Sequence, residues 1–224
     1  MKVTKISPQI KNKNRFNLEI DGKYETAVST NDLLKFRLAE GDEISAEDLL
    51  QIKQAGGKSL LRDNILNYLA SRPHSTFEVK QYIRKKIYKN TELTKLEKNQ
   101  KNLIEEELID EMIALKCLND DDFAKWFLDQ RLNSKNPKSL RMVQSELISK
   151  GIDRNTISEL IDKSKAKEQE SDNIQKVAEK KSSSLEKREK DPKKRKNKLI
   201  QYLSSKGYTW DNISPAVDSI FPPT

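Results

Sequence analysis

The sequence predicts a mainly α-helical fold: three tandem three-helix repeats, each similar to a helix–turn–helix, in an elongated array behind a small N-terminal module with a β-hairpin. A recurring phrase supports this prediction. Residues 147–161 read LISKGIDRNTISELI, residues 203–217 read LSSKGYTWDNISPAV, and YIRKKIYKN at 82–90 is a weaker echo without the glycine. In each full copy a helix ends at Lys-Gly, an apolar residue packs back on it, and a new helix begins. Such repeats build arrays that lie along a partner.

Composition also favours small helical modules over a single compact core, because 34% of the residues are hydrophobic and 35% are charged. The sequence contains no run of 18 or more apolar residues, so we predict no membrane span. The N-terminus also lacks the apolar stretch of a secretory signal. The one cysteine, Cys117, cannot form an internal disulfide. We therefore expect a cytoplasmic protein.

The predicted modules are residues 1–57 (a small α/β module), 58–117, 118–167 and 168–224, the last with a basic linker. Alternating apolar residues over 16–28, interrupted by Asp21-Gly22, predict a hairpin, and VTKISPQI adds an edge strand. Ser29 and Ser45 are expected to cap short helices, and Gly56-Gly57 to end the module.

Helical periodicity then takes over. In the first repeat a helix is broken at Pro73, Ser75 caps a second, and one long helix carries Leu93 to Leu115. In the second repeat Asn119 or Asp120 caps the first helix, and Pro137 starts a helix that Gly151 ends.

The stretch 162–198 is strongly basic and poor in apolar residues. Its run SSSLEKREKDPKKRKNK, residues 182–198, is predicted to be a mobile connection. Helical periodicity resumes at Leu199.

Enzyme chemistry finds little support in the sequence. Asp120–Asp122 are expected to stabilise a helix N-terminus rather than hold a metal, and GGKS at 56–59 lacks the spacing of a phosphate loop. His74 is the only histidine, and Cys117 is expected to pack beside Leu118. We predict no catalytic residue, no metal and no cofactor.

Basic residues on or beside the middle helix of each repeat are the candidate binding residues. The net charge of +8 favours an anionic partner or an acidic protein surface, although the same charge could simply keep the protein in solution. Most aromatic residues are expected in cores, whereas Trp210 either staples a turn or faces a partner. The candidates are Arg84, Lys85, Lys86, Arg131, Lys138, Arg141, Lys150, Arg154, Lys193, Lys194, Arg195, Lys198, Lys206 and Trp210.

Five segments resemble the RecX family, bacterial regulators of the RecA recombinase. They are NYLASRPHSTFEVKQYIRKK at 67–86, LNDDDFAKWFLDQR at 118–131, LISKGI at 147–152, KLIQYLSSKGYTWDNI at 198–213, and the N-terminal RFNLEIDGKYETAVSTNDLLKFRLAEGDEI. Two features depart from the family pattern: Lys86-Ile87 stands where Lys-Gly is expected, and a long polar stretch follows in the first repeat.

The resemblance implies a non-enzymatic regulator of homologous recombination and DNA repair. Such a protein lodges in the groove of RecA filaments on single-stranded DNA and inhibits RecA's ATPase and strand exchange. We expect a monomer with no membrane contact and with weak direct contact to DNA. The alternative is a direct, non-specific DNA-binding protein built of helix–turn–helix-like repeats.

Overall fold

The computed structural model describes residues 1–10 and 12–222, in two compact units, Met1–Leu118 and Asn119–Thr224. Most of the chain is helical and a small sheet lies at the N-terminus, as the sequence predicted. The first unit contains β1 (Val3–Pro8), β2 (Arg15–Ile20), β3 (Lys23–Ser29), α1 (Thr30–Phe36), α2 (Ala46–Leu69), α3 (Thr76–Lys89) and α4 (Lys98–Ala114). The second contains α5 (Asp120–Leu132), α6 (Leu140–Ser149), α7 (Arg154–Lys163), α8 (Ala166–Glu186), α9 (Pro192–Ser205) and α10 (Trp210–Asp218).

The N-terminal sheet is antiparallel in the order β1-β2-β3. Asp21 and Gly22 form the β2–β3 turn with φ of 49° and 79°, the left-handed conformation that tight hairpins require, so the predicted hairpin is confirmed. Buried sheet residues such as Leu18 and Val28 pack in one cluster with Leu49 of α2. The helix therefore covers one face of the sheet.

Helix α2 runs unbroken through Gly56 and Gly57 for 24 residues, so the short helix expected after Ser45 is wrong in its length. A Cβ on Gly56 would lie 2.6 Å from the carbonyl oxygen of Ala27 in β3, and one on Gly57 would lie 3.1 Å from the side chain of Leu93. The glycines thus serve close packing and do not end the helix. The predicted module boundary after residue 57 lies inside α2 and stays a prediction.

Arg15 of β2 also holds α2 against β3. Its guanidinium is buried and donates hydrogen bonds to the carbonyl oxygens of Ala27 at 2.8 Å and Gly56 at 3.0 Å. Asp63 lies 3.5 Å from it. One buried cation thus ties β3 to α2.

The second half of α2 packs with α3 and α4 around a core that includes Ile65, Ile83 and Met112. The predicted long helix from Leu93 is wrong at its start, because Leu93–Lys95 form a 3₁₀ turn and α4 begins only at Lys98. The side chain of Asn90 accepts the backbone N–H groups of Glu92 and Leu93, which holds this turn.

In the second unit, α5, α6 and α7 surround a core that includes Phe123, Val143 and Ile157. The Asn119 side chain caps α5, as predicted. Helix α6 begins at Leu140 and not at the predicted Pro137, and the Ser139 hydroxyl caps it by accepting the N–H of Met142. Gly151, with φ of 82°, follows the last turn of α6.

The expected mobile connection over 182–198 is wrong for most of its length, because α8 continues to Glu186 and α9 begins at Pro192. Ile174, Ala178 and Leu185 lie buried in one cluster with residues of α9 and α10, which explains why a mainly polar segment is helical. The Asp191 side chain caps α9 at the lysine-rich start of that helix.

We predict that Gly56→Ala lowers the free energy of unfolding by about 1–3 kcal/mol, because its Cβ would collide with backbone that cannot move aside. Urea denaturation followed by circular dichroism measures the loss. Gly57→Ala is the matched control: its neighbours are side chains that can shift, and alanine gains roughly 1 kcal/mol of helix propensity. Equal effects of the two substitutions would contradict the packing explanation.

Candidate functional site

The candidate residues of the first unit lie on α3. They differ in whether a carboxylate of this chain already neutralises their charge. Arg84 forms a two-pronged ion pair with Glu105 of α4, at 2.7 and 2.8 Å. The hydrogen bonds to Glu105 raise the pKa of Arg84. Lys86 lies 5.2 Å from the centre of the Tyr82 ring. Lys85 is exposed and has no carboxylate within ion-pair distance among the described residues.

Arg131 and Lys138 share one carboxylate, Glu146. Arg131 donates from Nε to Glu146 at 2.7 Å, and Lys138 contacts its other oxygen. Burial acts to raise the pKa of Glu146, but the two cations outweigh it, so the net effect is a lowered pKa. Both candidates are thus largely neutralised within the fold.

Arg141, Lys150 and Arg154 lie on α6 or just after it. Arg141 is exposed on the first turn of α6, Lys150 is the C-cap of that helix, and Arg154 is exposed at the start of α7. Neither arginine reaches a carboxylate in the part of the chain that the structure describes. Both can therefore meet an external anion.

The basic run of α9 is divided in the same way. Arg195 is 3.3 Å from Glu186 and Lys198 is 2.8 Å from Glu189, so the α8–α9 connection neutralises both. Lys193 and Lys194 are exposed, and neither has an acidic partner in the ranges 1–10 and 12–222.

The two remaining candidates lie at either side of the α9–α10 turn. Lys206 is the C-cap of α9, with its ammonium 5.5 Å from the centre of the Tyr202 ring. Trp210 is the first residue of α10, and 61% of it is exposed. The indole therefore faces solvent more than it packs against the turn.

A basic groove in the second unit includes lysines that the sequence analysis missed. The groove has a volume of about 600 Å³ and lies between the α5–α6 connection and the faces of α8 and α9. Lys176 and Lys180, one helical turn apart, are a signal visible in the sequence, whereas Lys135 joins them only through packing. The lysines that line the groove are Lys135, Lys176, Lys180, Lys181 and Lys206.

Three polar contacts hold α8 against the α5–α6 connection. Asn173 donates to the carbonyl oxygen of Leu132 at 2.8 Å, and Gln169 donates to the side chain of Asn133 at 2.5 Å. Glu170 accepts the backbone N–H of Leu140 at 2.6 Å. These contacts place the two walls of the groove beside each other.

Gly207, the glycine of the second Lys-Gly phrase, lies where the end of α9 packs against the start of α6. Its φ is 84°, and a Cβ there would lie 2.6 Å from Ser139 Oγ. Burial is the main cause that raises the pKa of the neighbouring Tyr208 to about 12, and the negative charge of Glu170 adds to it. The glycine thus ends α9 and also lets it approach α6 closely.

A larger groove of about 900 Å³ in the first unit has mixed charge. It is lined by three basic residues and three carboxylates, and two of the basic residues, Lys58 and Arg62, are paired with Glu107 and Glu111. Its net charge is therefore less suited to an anionic partner than that of the basic groove.

Other residues weighed for chemistry have structural surroundings. His74 is buried, with Nδ1 2.7 Å from the carbonyl oxygen of Arg72 and its ring beside Tyr68. Cys117 is exposed, so its expected packing is wrong: Lys116, with φ of 55°, ends α4 and Leu118 is buried instead. Among residues 1–10 and 12–222, no group of three His, Cys, Asp or Glu side chains could hold a metal, and no helix is long and apolar enough to cross a membrane.

We predict that Glu146→Gln destabilises the protein by about 1 kcal/mol at pH 7 and by less in acid. The pKa of Glu146 is lowered in the folded protein, so its ionised form adds stability above the unfolded pKa, and that stability is lost as the pH falls through the folded pKa. Urea titrations from pH 7 to below pH 4 measure the difference. The control is Glu159→Gln, which removes only an exposed pair with Lys163; a pH-independent difference for Glu146→Gln would contradict the assignment.

Comparison with known proteins assigns the family. Residues 1–45 match the family model of the regulatory protein RecX N-terminal domain, and residues 168–217 match that of the RecX third three-helix domain. The chain is 31% identical over 222 residues to the regulatory protein RecX of Bacillus subtilis, covering 97% of this chain and 76% of that protein. It is 28% identical over 219 residues to the regulatory protein RecX of Clostridium tetani, covering 98% and 94%.

Two solved structures share the fold. The crystal structure of a regulatory protein RecX gives a TM-score of 0.67 at 21% identity, over 97% of this chain and 98% of that one. The crystal structure of RecX from Lactobacillus salivarius gives 0.58 at 21% identity, over 73% and 96%. With the sequence relatives above, these matches lead to one conclusion: the chain belongs to the RecX family of regulatory proteins.

Proposed function

We propose that this protein is a non-enzymatic regulator of homologous recombination and DNA repair. It lodges, as a monomer in the cytoplasm, in the groove of RecA filaments on single-stranded DNA and inhibits RecA's ATP hydrolysis and strand exchange. Membership of the RecX family supports a regulatory role, and the family resemblance supplies RecA as the partner.

The observation that carries the proposal is a set of exposed cations without acidic partners in the described part of the chain. Lys85 lies on α3, Arg141 on α6, and Lys193 with Lys194 on α9, each the middle helix of three that pack together. A filament of repeated RecA subunits on single-stranded DNA presents acidic groups and phosphates at intervals. These cations can form ion pairs with them.

The neutralised candidates contribute less in this proposal. Arg84, Arg131 and Lys138 would have to exchange a carboxylate of this chain for one of the partner, so their net gain on binding is small. Contacts spread over many exposed charges also weaken strongly with salt.

We predict that the full-length chain lowers RecA's ATP turnover on single-stranded DNA and that Arg141→Gln/Lys193→Gln/Lys194→Gln needs roughly tenfold more protein for the same inhibition. The reason is the loss of three unpaired cations. A coupled ATPase assay, with the protein titrated at two salt concentrations, measures the effect.

The matched control is Lys5→Gln/Lys13→Gln/Lys23→Gln, which removes the same charge from exposed lysines of the N-terminal sheet region. Inhibition by this variant should equal that of the unchanged chain. If the unchanged chain neither binds the filament nor alters ATP turnover, the proposed function is wrong.

Direct, non-specific DNA binding is the second candidate function, and the basic groove of the second unit favours it. The two candidates differ in their preferred target. Equal affinity for bare DNA and for RecA-coated DNA would favour the second candidate, and tighter binding to the coated DNA would favour the first.

A further inference from the structure

The basic groove of the second unit combines high positive charge with few groups that cancel it. Asp172 is the only acidic residue among its lining residues, against five lysines. Lys135, Lys176 and Lys180 are exposed, and none of the five lysines has an ion pair in the described part of the chain. The charge is therefore available to a ligand.

Tyr202 holds two of these lysines without neutralising them. The ammonium of Lys181 lies 4.6 Å from the centre of its ring and that of Lys206 lies 5.5 Å from it. A ring attracts a cation but carries no net charge, so both ammonium groups keep their full attraction for an anion. This differs from Arg84 and Lys138, which carboxylates neutralise.

The shape and the remaining lining residues suit a single strand. From Asp172 to Ser184 the α8 wall runs for roughly 18 Å, long enough for several phosphates in a row. The opposite wall, the α5–α6 connection, adds the polar side chains of Asn133, Ser134 and Asn136. A groove of about 600 Å³ is too small to enclose a duplex.

A protein segment would fit this groove less well. Stable protein contacts are anchored by buried apolar or aromatic residues, but the groove offers only Leu132, Pro137, Val177 and a Tyr202 ring already flanked by ammonium groups. Phosphates need only cations and polar donors.

We propose that this groove is a binding site for the phosphate backbone of single-stranded nucleic acid. Lys176, Lys180 and Lys181 of α8 contact successive phosphates, Lys135 closes the strand from the opposite wall, and Lys206 holds one end. The site reads no base sequence, since its contacts are with the backbone. The site acts without RecA: it rests on the second candidate function, direct nucleic-acid binding, and not on the inhibition of RecA.

The test measures binding of a fluorescent oligothymidine of about 20 nucleotides by anisotropy, without RecA, at several salt concentrations. We expect Lys176→Gln/Lys180→Gln/Lys181→Gln to weaken binding about tenfold or more. The slope of log affinity against log salt should fall in magnitude by roughly 2, because each single-strand phosphate contact contributes about 0.7. Lys5→Gln/Lys13→Gln/Lys23→Gln, equal in charge, should keep both the affinity and the slope.

A second measurement does not depend on the folding of a variant. In the unchanged chain, the oligonucleotide should protect Lys176, Lys180 and Lys181 from acetylation, as read by mass spectrometry, and leave Lys5, Lys13 and Lys23 reactive. Equal binding by the groove variant and the control, or absence of protection, would overturn the site.

Binding of poly-L-glutamate tests whether the groove takes an acidic protein segment instead of a nucleic acid. If it binds as tightly as the oligonucleotide and depends on the same lysines, the inference of a nucleic-acid site is overturned in favour of an acidic protein segment. Because RecA is absent from all three measurements, their failure leaves RecA inhibition intact, and loss of RecA inhibition leaves them unaffected.

Discussion

The buried carboxylate of Glu170 is the contact on which the arrangement of the second unit depends. It projects from α8, accepts the first backbone N–H of α6 from Leu140, and accepts the side-chain amide of Asn212 from α10 at 3.1 Å. That N–H has no acceptor within its own helix, and a negative charge suits the helix N-terminus. Burial raises the pKa of Glu170, so the two hydrogen bonds must offset a real desolvation cost. Together with the hydrogen bonds of Asn173 and Gln169, this contact holds α8 beside the α5–α6 connection, where the basic groove lies.

The same need to stabilise charge determines where a partner can bind. A lysine-rich chain gains stability by placing carboxylates beside its cations, as Glu146 does for Arg131 and Lys138. Each such pair removes positive charge from the surface. What remains for an anion is the set of cations that the fold leaves out, together with those held by a neutral ring such as Tyr202. Net charge alone therefore locates no binding surface.

The parts of the fold that sequence predicted correctly depend on neighbours within a few residues. The Asp21-Gly22 turn and the helix caps at Ser45 and Asn119 are local features of this kind. Gly56 was misinterpreted because its reason lies in β3, at the carbonyl of Ala27. The helical state of 182–198 was missed because composition suggested mobility, while burial of Leu185 and its neighbours against α9 and α10 decided the structure.

The candidate site shows the same limit, because features that depend on the packing of distant residues could not be predicted from sequence. Sequence predicted basic candidates from their positions along the helices, but Glu146 neutralises Arg131 from fifteen residues away, a pairing that only the packing of α5 on α6 creates. Gly207 gives the sharpest case. The helix end at Gly207 was predicted from the Lys-Gly phrase, whereas its packing against α6, so close that a Cβ would lie 2.6 Å from Ser139 Oγ, was not. A side chain at this position would strain the turn and also push α9 from α6, so Gly207 both ends a helix and lets two groups of helices pack together. The basic groove lies where these two groups of helices meet. It therefore needs both groups, and a single repeat would not contain it.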